Sequence, residues 1–272
     1  MSIVAISQTL GSLGSEIGRE VAQNLSYEFA DREIILRAAD RFGEGVTELQ
    51  RVTEEKPTLW ERFTLATQHY VAYIQAIIWE MAARDNVVLS GRGAPFVLHQ
   101  VRHVLRVRVT APEPRRASRV EHQQGLTTDA AADLVRHSDR ETASRVKLLH
   151  HVDWDDPLLY DLVLNTEGLD IKTGARLIQE ALGHERFQPT PDSLMEVKDL
   201  SLTARARAAL LAHPLTRPLH LSLTCTNGYI SIGGMVEREE QQKVAEEIVG
   251  KVPWVAGVLN EIAIVPSHLI PE

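Results

Sequence analysis

The sequence contains one cysteine, Cys225, and 5% aromatic residues in 272. A single thiol excludes an internal disulfide and any multi-cysteine metal centre, fits a reducing compartment, and leaves packing as the role of the side chain. Positive charge is also scarce: 29 Lys and Arg against 37 Asp and Glu give a formal net charge of −8. A protein whose main business is coating nucleic acid needs surplus cations on its contact face, so no nucleic-acid partner is expected; a local basic pocket stays compatible with this balance. Long apolar runs are missing too. The most apolar stretch, Tyr70 to Ala83, is interrupted by Gln75 and Glu80, and the N-terminus enters a strand-like run with no basic flank. These features predict a non-secreted, cytoplasmic chain with no membrane span. The histidines include the pair His150-His151 but no H-E-x-x-H or comparable ligand spacing, so no zinc-type centre is expected.

What is present is an ordinary globular composition, 44% apolar and 24% charged, at a length that suits one large domain or two moderate ones. Four β-type runs, Ile3 to Ile6, Val87 to Ser90, Val104 to Thr110 and Leu159 to Leu164, alternate with longer helical patterns. That rhythm predicts a parallel sheet covered by helices. Gly14 to Leu25 carries Ile17, Val21 and Leu25 at four-residue spacing with Glu16 and Glu20 outward, an amphipathic helix directly after the first strand. Leu59 to Ala83 reads as a long core helix, and Ile171 to Leu182 as the last helix of this unit. The former carries Leu65, Val71, Ile74, Ile77 and Ile78, enough apolar surface to serve a homo-oligomer interface as an alternative to core.

Periodicity fades at GHERFQPTP, so residues 1–183 are expected to form one domain and 184–198 a linker. A second pattern follows over 199–266: a helix from about Thr203 to Ala212, a strand with Leu219, Leu221 and Leu223 alternating, an Asn227-Gly228 turn, a strand YISIGG, a helix Glu239 to Val249 and a last strand Val258 to Val265. Asn-Gly between alternating runs is a strong hairpin signal. The expected unit is a compact α+β domain of order αββαβ, with a tail at 267–272.

The loop SQTLGSLGSEIGRE, Ser7 to Glu20, lies between the first strand and the first helix. The phosphate loop G-x-x-x-x-G-K-[ST] uses glycines so that backbone amides surround phosphate oxygens, a lysine for the β and γ phosphates, and a hydroxyl for Mg²⁺. No start position here satisfies it. Strand, glycine-containing loop and helix N-terminus survive, which suits an anion site and a plain turn equally.

Several separate stretches share their order and spacing with one family: SQTLGSLGSEIGRE, YEFADREII, VVLSGRGAPFVL, LRVRVTAPEPRRASRV and SDRETASRVKLLHHVDWDDPLLYDLVLNTEGL. Over roughly residues 1 to 183 the chain resembles the cytidylate kinase-like family, relatives of the P-loop nucleoside monophosphate kinases. The resemblance implies a five-stranded parallel sheet with helices on both faces, a nucleotide site at the carboxyl ends of the strands, and ATP with Mg²⁺ as cofactors. It places Gly11, Ser12, Gly14, Ser15 and Glu16 in the phosphate-facing loop, with Gly14 where cytidylate kinases carry the lysine, Glu16 where they carry Ser or Thr, and Mg²⁺ near Glu16. Asp31, Arg32, Arg92 and Asp139 would bind the acceptor, and Arg116, Arg140 and Arg145 would act on the transferring phosphoryl group, the last two from a mobile lid. Arg119 shares the helix of Arg116, and Arg19 is the cation nearest the loop that could replace the lysine. Arg115 and Arg136 read as solvated helix charges. Trp154, Asp155, Asp156 and Tyr160 form a structural signature before the last strand, and Asn165 and Thr166 lie at the edge where a nucleobase would sit.

Residues 199 to 266 resemble a BON domain, carried by Gly228, Ile230, Ile232, Gly234 and Val236 and by the closing Val255, Gly257, Val258, Asn260, Glu261 and Ile262. Its glycines read as structural, and its role as regulatory or interactive, with membrane association not expected in the absence of a signal peptide or basic amphipathic helix. Two functions therefore stand side by side: a nucleotide kinase that lacks the loop lysine, and a catalytically inactive nucleotide sensor signalling through the second domain.

Overall fold

The computed structural model describes residues 2–54 and 65–266. The expected helix start at Leu59 and the tail at 267–272 lie outside the described residues. Five strands, β1 (Ile3–Gln8), β2 (Glu28–Ala30), β3 (Val87–Ser90), β4 (Val104–Thr110) and β5 (Leu162–Asn165), form a parallel sheet of order β2-β3-β1-β4-β5. The two-residue strand period separates two cores. Ile3 and Ala5 of β1 and Val87 and Leu89 of β3 face one side, while Val4, Ile6 and Val88 face the other. The first side is covered by α2 (Arg32–Phe42), α3 (Val46–Glu54), α4 (Leu65–Ala83) and the short α5 (Ala94–Val97). The second is covered by α1 (Gly14–Leu25) and, later in the chain, by a helix at Ile171–Leu182. Between β4 and β5 the chain runs out and back as α6 (Glu113–Gln124) and α7 (Thr128–His150), packed together through Val120, Ala131 and Val135. The helix after β5 is α8 (Ile171–Leu182), capped by Asp170, whose side chain accepts from Thr173 N at 2.7 Å.

The segment expected as a linker is largely helical. After a 3₁₀ turn at Glu185–Phe187, α9 runs unbroken from Pro191 to Ala212, about twelve residues earlier than the expected start. Its N-terminus is fixed by Pro191 in the first turn and by a reciprocal cap between Thr190 and Ser193, with the two amides bonded at 2.9 and 3.2 Å. Its amphipathic signal is weak because two faces are apolar. Val197, Leu200, Ala204, Ala208 and Leu211 pack on the core built around α4, whereas Leu202, Ala206 and Leu210 enter a separate core. Ile74, Ile77 and Ile78 of α4 are buried within the chain, so they serve core packing.

That separate core belongs to the second domain. Strands β6 (Ser222–Thr226), β7 (Tyr229–Val236) and β8 (Gly257–Ile264) form a sheet of order β6-β7-β8, with α10 (Glu239–Gly250) packed against it. The β6–β7 pair is antiparallel and turns at Asn227 (φ 51°) and Gly228 (φ 82°), the left-handed pair a tight hairpin needs. Asp199 of α9 receives that turn, accepting from Asn227 N at 2.8 Å and Gly228 N at 2.9 Å. Cys225 packs beside the same carboxylate; burial, with Asp199 adding to it, pushes its thiol up to about 12. Among the described residues no helix is long and apolar enough to cross a membrane, and no group of three His, Cys, Asp or Glu could hold a metal ion.

Candidate active site

A cavity of about 600 Å³ opens at the carboxyl ends of β1 and β3, between the loop after β1, the loop after β3 and the inner face of α7. Its floor is the segment Thr9–Leu13. Gly11 (φ 77°) and Leu13 (φ 67°) are both left-handed, and the turn delivers the chain into α1 at Gly14. A side chain at Gly11 would meet the carbonyl oxygen of Arg116 at 2.6 Å, so only glycine fits. No side chain caps α1, and its first amides stay available to an anion at the positive end of the helix.

The loop is fixed from behind. Arg119 donates to Gly11 O at 3.0 Å and to Thr166 Oγ1 at 3.0 Å, while Thr166 Oγ1 donates to Ser12 O at 2.8 Å. With the Ser12 carbonyl turned toward Thr166, the amide of the same peptide plane, that of Leu13, points the opposite way. Thr166 is fully buried in this role and is not open to a nucleobase, while the Asn165 carboxamide accepts from Glu167 N at 3.0 Å. Ser12 Oγ is buried without a hydrogen-bond partner, an orphan polar atom inside the loop.

The walls carry charge. Gly91 (φ 76°), Arg92 (φ 55°) and Gly93 (φ 74°) are three successive left-handed residues, a strained turn that directs Arg92 into the cavity beside Asp31, 3.8 Å from Arg92 Nη2. Arg145 enters from α7, its Nη2 3.3 Å from Thr142 Oγ1. Ser15 Oγ donates to Asp31 Oδ2 at 2.9 Å, accepts from Gln8 Nε2 at 2.7 Å and lies 3.5 Å from Ser90 Oγ. Ser15 follows Gly14 directly, so the hydroxyl adjacent to the lysine position is Ser15 and not Glu16, which lines the cavity wall one residue further on. The lining residues include no lysine. At the far end His150 of α7 packs against Phe96 with ring centres 5.2 Å apart and the planes tilted by 39°, and burial, reinforced by His99 and His151, holds its imidazole down at about 4.

Several sequence candidates fall outside the cavity lining. Arg140 is exposed and bonds to Arg136 O of its own helix at 3.3 Å; the inward face of α7 carries Ser138, Thr142 and Arg145, and a residue two positions from two of these points away from it. Arg32 is exposed at the start of α2. Arg116 and Asp139 are engaged with each other through two hydrogen bonds of 3.0 and 2.7 Å. Arg19 stacks on Phe29, 4.9 Å from the ring centre, and cannot replace the lysine from there. Arg115 and Arg136 are exposed, the latter bonded to Glu113 and Asp133. The Trp-Asp-Asp signature serves packing: Trp154 Nε1 donates to Ser7 Oγ at 2.8 Å, and the buried Arg108 lies 3.9 Å over the Trp154 ring with Asp155 on its end at 2.6 Å. Sequence reasoning passed over Gln8, which belongs to no recognisable spacing, and saw His150 only as one of a histidine pair without ligand spacing.

Residues 3–168 match the cytidylate kinase-like family. The chain belongs to the cytidylate kinase-like family. Residues 198–266 match the BON domain, which joins the two-domain architecture to a second known module. The cytidylate kinase of Pyrobaculum calidifontis is 27% identical over 178 residues, spanning 65% of this chain and 90% of that protein. The cytidylate kinase of Methanococcus aeolicus is 22% identical over 186 residues, spanning 67% and 98%. A crystal structure of an uncharacterized protein from Eubacterium ventriosum shares the fold of the first domain at a TM-score of 0.52 and 16% identity, covering 67% of this chain and 98% of that one.

Proposed function

We propose that the first domain transfers the terminal phosphoryl group of ATP to a nucleoside monophosphate of the cytidylate class. The observation that carries this reading is that Arg92 and Arg145 line one cavity whose floor leads into an uncapped helix N-terminus. Phosphoryl transfer needs little covalent participation from the protein; the acceptor phosphate oxygen forms its bond to the γ phosphorus as the β–γ bridging bond breaks, and the protein positions and neutralises. The loop amides from Leu13 onward receive the donor phosphates, Arg92 holds the acceptor phosphate, and Arg145 reaches the charge that develops between them. The oxygen donors Ser15 and Asp31, 2.9 Å apart, with Glu16 on the wall, suit Mg²⁺ in chemistry. When bound, Mg²⁺ neutralises charge on the donor phosphates. A cytoplasmic location, where ATP is at hand and Cys225 stays reduced, is part of the same reading, as is a regulatory role for the BON domain.

The lysine-free lining favours a second reading, a nucleotide sensor without turnover, because loss of one preorganised donor commonly costs about 100- to 1,000-fold in rate. Thermal-shift titration with nucleotides, followed by a coupled ADP-release assay across nucleoside monophosphates, separates the two. Turnover that requires Arg92 and Arg145 supports the kinase. Binding with no turnover for any acceptor leaves the sensor, and absence of any nucleotide binding removes both.

A further inference from the structure

The geometry points to Gln8 as the phosphate-contacting side chain that stands in for the loop lysine, with Gly14 held as glycine to give it room. This rests on the reading of the cavity as a nucleotide site. Counting G-x-x-x-x-G-K-[ST] back from Gly14 and Ser15 puts Leu13 at the second glycine and Gln8 at the first. The two departures at Gln8 and Gly14 are one exchange of volume. A Cβ at position 14 would lie 2.4 Å from Gln8 Oε1 and 2.6 Å from Gln8 Cβ, and the second atom is fixed by the β1 backbone and cannot swing aside. A side chain at 14 and a side chain at 8 therefore exclude each other.

Hydrogen-bond polarity fixes which end of the amide does what. The single Ser15 hydroxyl proton goes to Asp31 Oδ2 at 2.9 Å, so Ser15 must accept from its other neighbour, Gln8 Nε2, at 2.7 Å. Nε2 carries two hydrogens and Ser15 uses one. Gln8 is half-buried at the carboxyl end of β1 and lines the cavity beside Ser12 and Leu13. Its second N–H is a neutral donor, preset by the Ser15–Asp31 pair, at the phosphate end of the site. Positive charge then comes from Arg92 and Arg145, which line the same cavity.

The test is a double-mutant cycle on the full chain with two readouts. Without ligand, Gly14→Ala is expected to lower the melting temperature in the natural background and not in Gln8→Gly; tolerance of Gly14→Ala in both backgrounds overturns the exclusion. With ligand, Gln8→Ala is expected to weaken both Mg²⁺–ATP and inorganic triphosphate by about ten- to a hundredfold, the range of one hydrogen bond to a charged group. Gln8→Glu, near-isosteric but unable to donate, should weaken them at least as much, and both variants should bind CMP within twofold of the natural protein. Equal loss for CMP and triphosphate assigns Gln8 a merely structural role and overturns the inference. Unchanged triphosphate affinity in both variants also overturns it while leaving the nucleotide site standing. Failure of the natural protein itself to bind ATP or triphosphate removes the reading of the site as well.

Discussion

Arg116 of α6 and Asp139 of α7 meet in a fork of two parallel hydrogen bonds, 3.0 and 2.7 Å, that closes the base of the helical hairpin over the phosphate loop. The same guanidinium donates to Ala111 O at 2.8 Å and to Leu10 O at 3.4 Å, so one side chain ties α7, the end of β4 and the loop together. Residues that read in sequence as a catalytic arginine and an acceptor-binding carboxylate form a pin. With the Arg116 side chain 7% exposed and Asp139 30% exposed, Asp139→Asn leaves a nearly buried charge with half its fork. The expected cost is about 2 kcal/mol in urea unfolding, less than for a fully buried pair because Asp139 is partly solvated. A stability unchanged within error, with turnover lost, would return the pair to the chemistry.

Thr166 makes a separate prediction about the loop. Thr166→Val keeps the shape of the side chain but removes the donor to Ser12 O and the acceptor for Arg119. Leaving these buried groups unsatisfied should cost about 1–3 kcal/mol. The Ser12–Leu13 peptide plane also loses its anchor, so nucleotide affinity should fall by more than in a surface control of equal stability. Calorimetric titration compared with unfolding midpoints checks both.

The legible part of the fold follows from residue period. β1 and β3 open on unbroken apolar runs, β4 sets Val104, Leu105, Val107 and Val109 around Arg106 and Arg108, and α1 and α8 each carry one apolar stripe, so the α/β core could be read directly. β2 escaped because three residues, Glu28–Ala30, are too short for alternation to register. The first half of α9, before the expected start at Thr203, escaped for the opposite reason: apolar residues on two faces erase the one-sided signal on which amphipathic reading depends. In the site, glycines and arginines near the loop were visible as types, but the helical phase that turns Arg145 inward and Arg140 outward is a property of where α7 packs. Gln8 had no signal apart from a count made backward from a missing lysine.

The double duty of α9 sets how the two domains unfold. Removing everything after about Pro191 would strip Val197 and Ala208 from the core around α4 and cannot leave the first domain intact. Calorimetry of the full chain should show one main transition. Ala208→Leu, an overpacking change at a fully buried site facing α4, should cost about 1–3 kcal/mol and shift that whole transition. Two separate transitions, only one of them moved by the substitution, would show that α9 does not couple the cores.

His150 gives the protein an acid-sensitive stability with a defined window. Burial holds its imidazole down at about 4, against 6.5 for the free side chain, so it is neutral in the folded state at neutral pH. Between those values the unfolded chain binds a proton that the folded chain refuses, and stability must therefore rise with pH from about 4 to 6.5 and level off above. One such group contributes at most about 1.4 kcal/mol per pH unit. His103, fully buried and also pushed down by burial, adds in the same direction from the opposite end of β4. His150→Phe preserves an aromatic partner for Phe96 and removes the titration, so unfolding midpoints measured across this range should show a shallower slope in the variant, the remainder coming from His103 and, at the acid end, from carboxylates held down in the fold such as Glu80 and Glu33. Because Gly93 leaves only 2.8 Å between a would-be Cβ and His150 Nε2, protonation would place a cation against the backbone of the turn that carries Arg92. Acceptor affinity should then differ between the two proteins only as the pH falls toward about 4, where the folded chain's own imidazole takes up the proton.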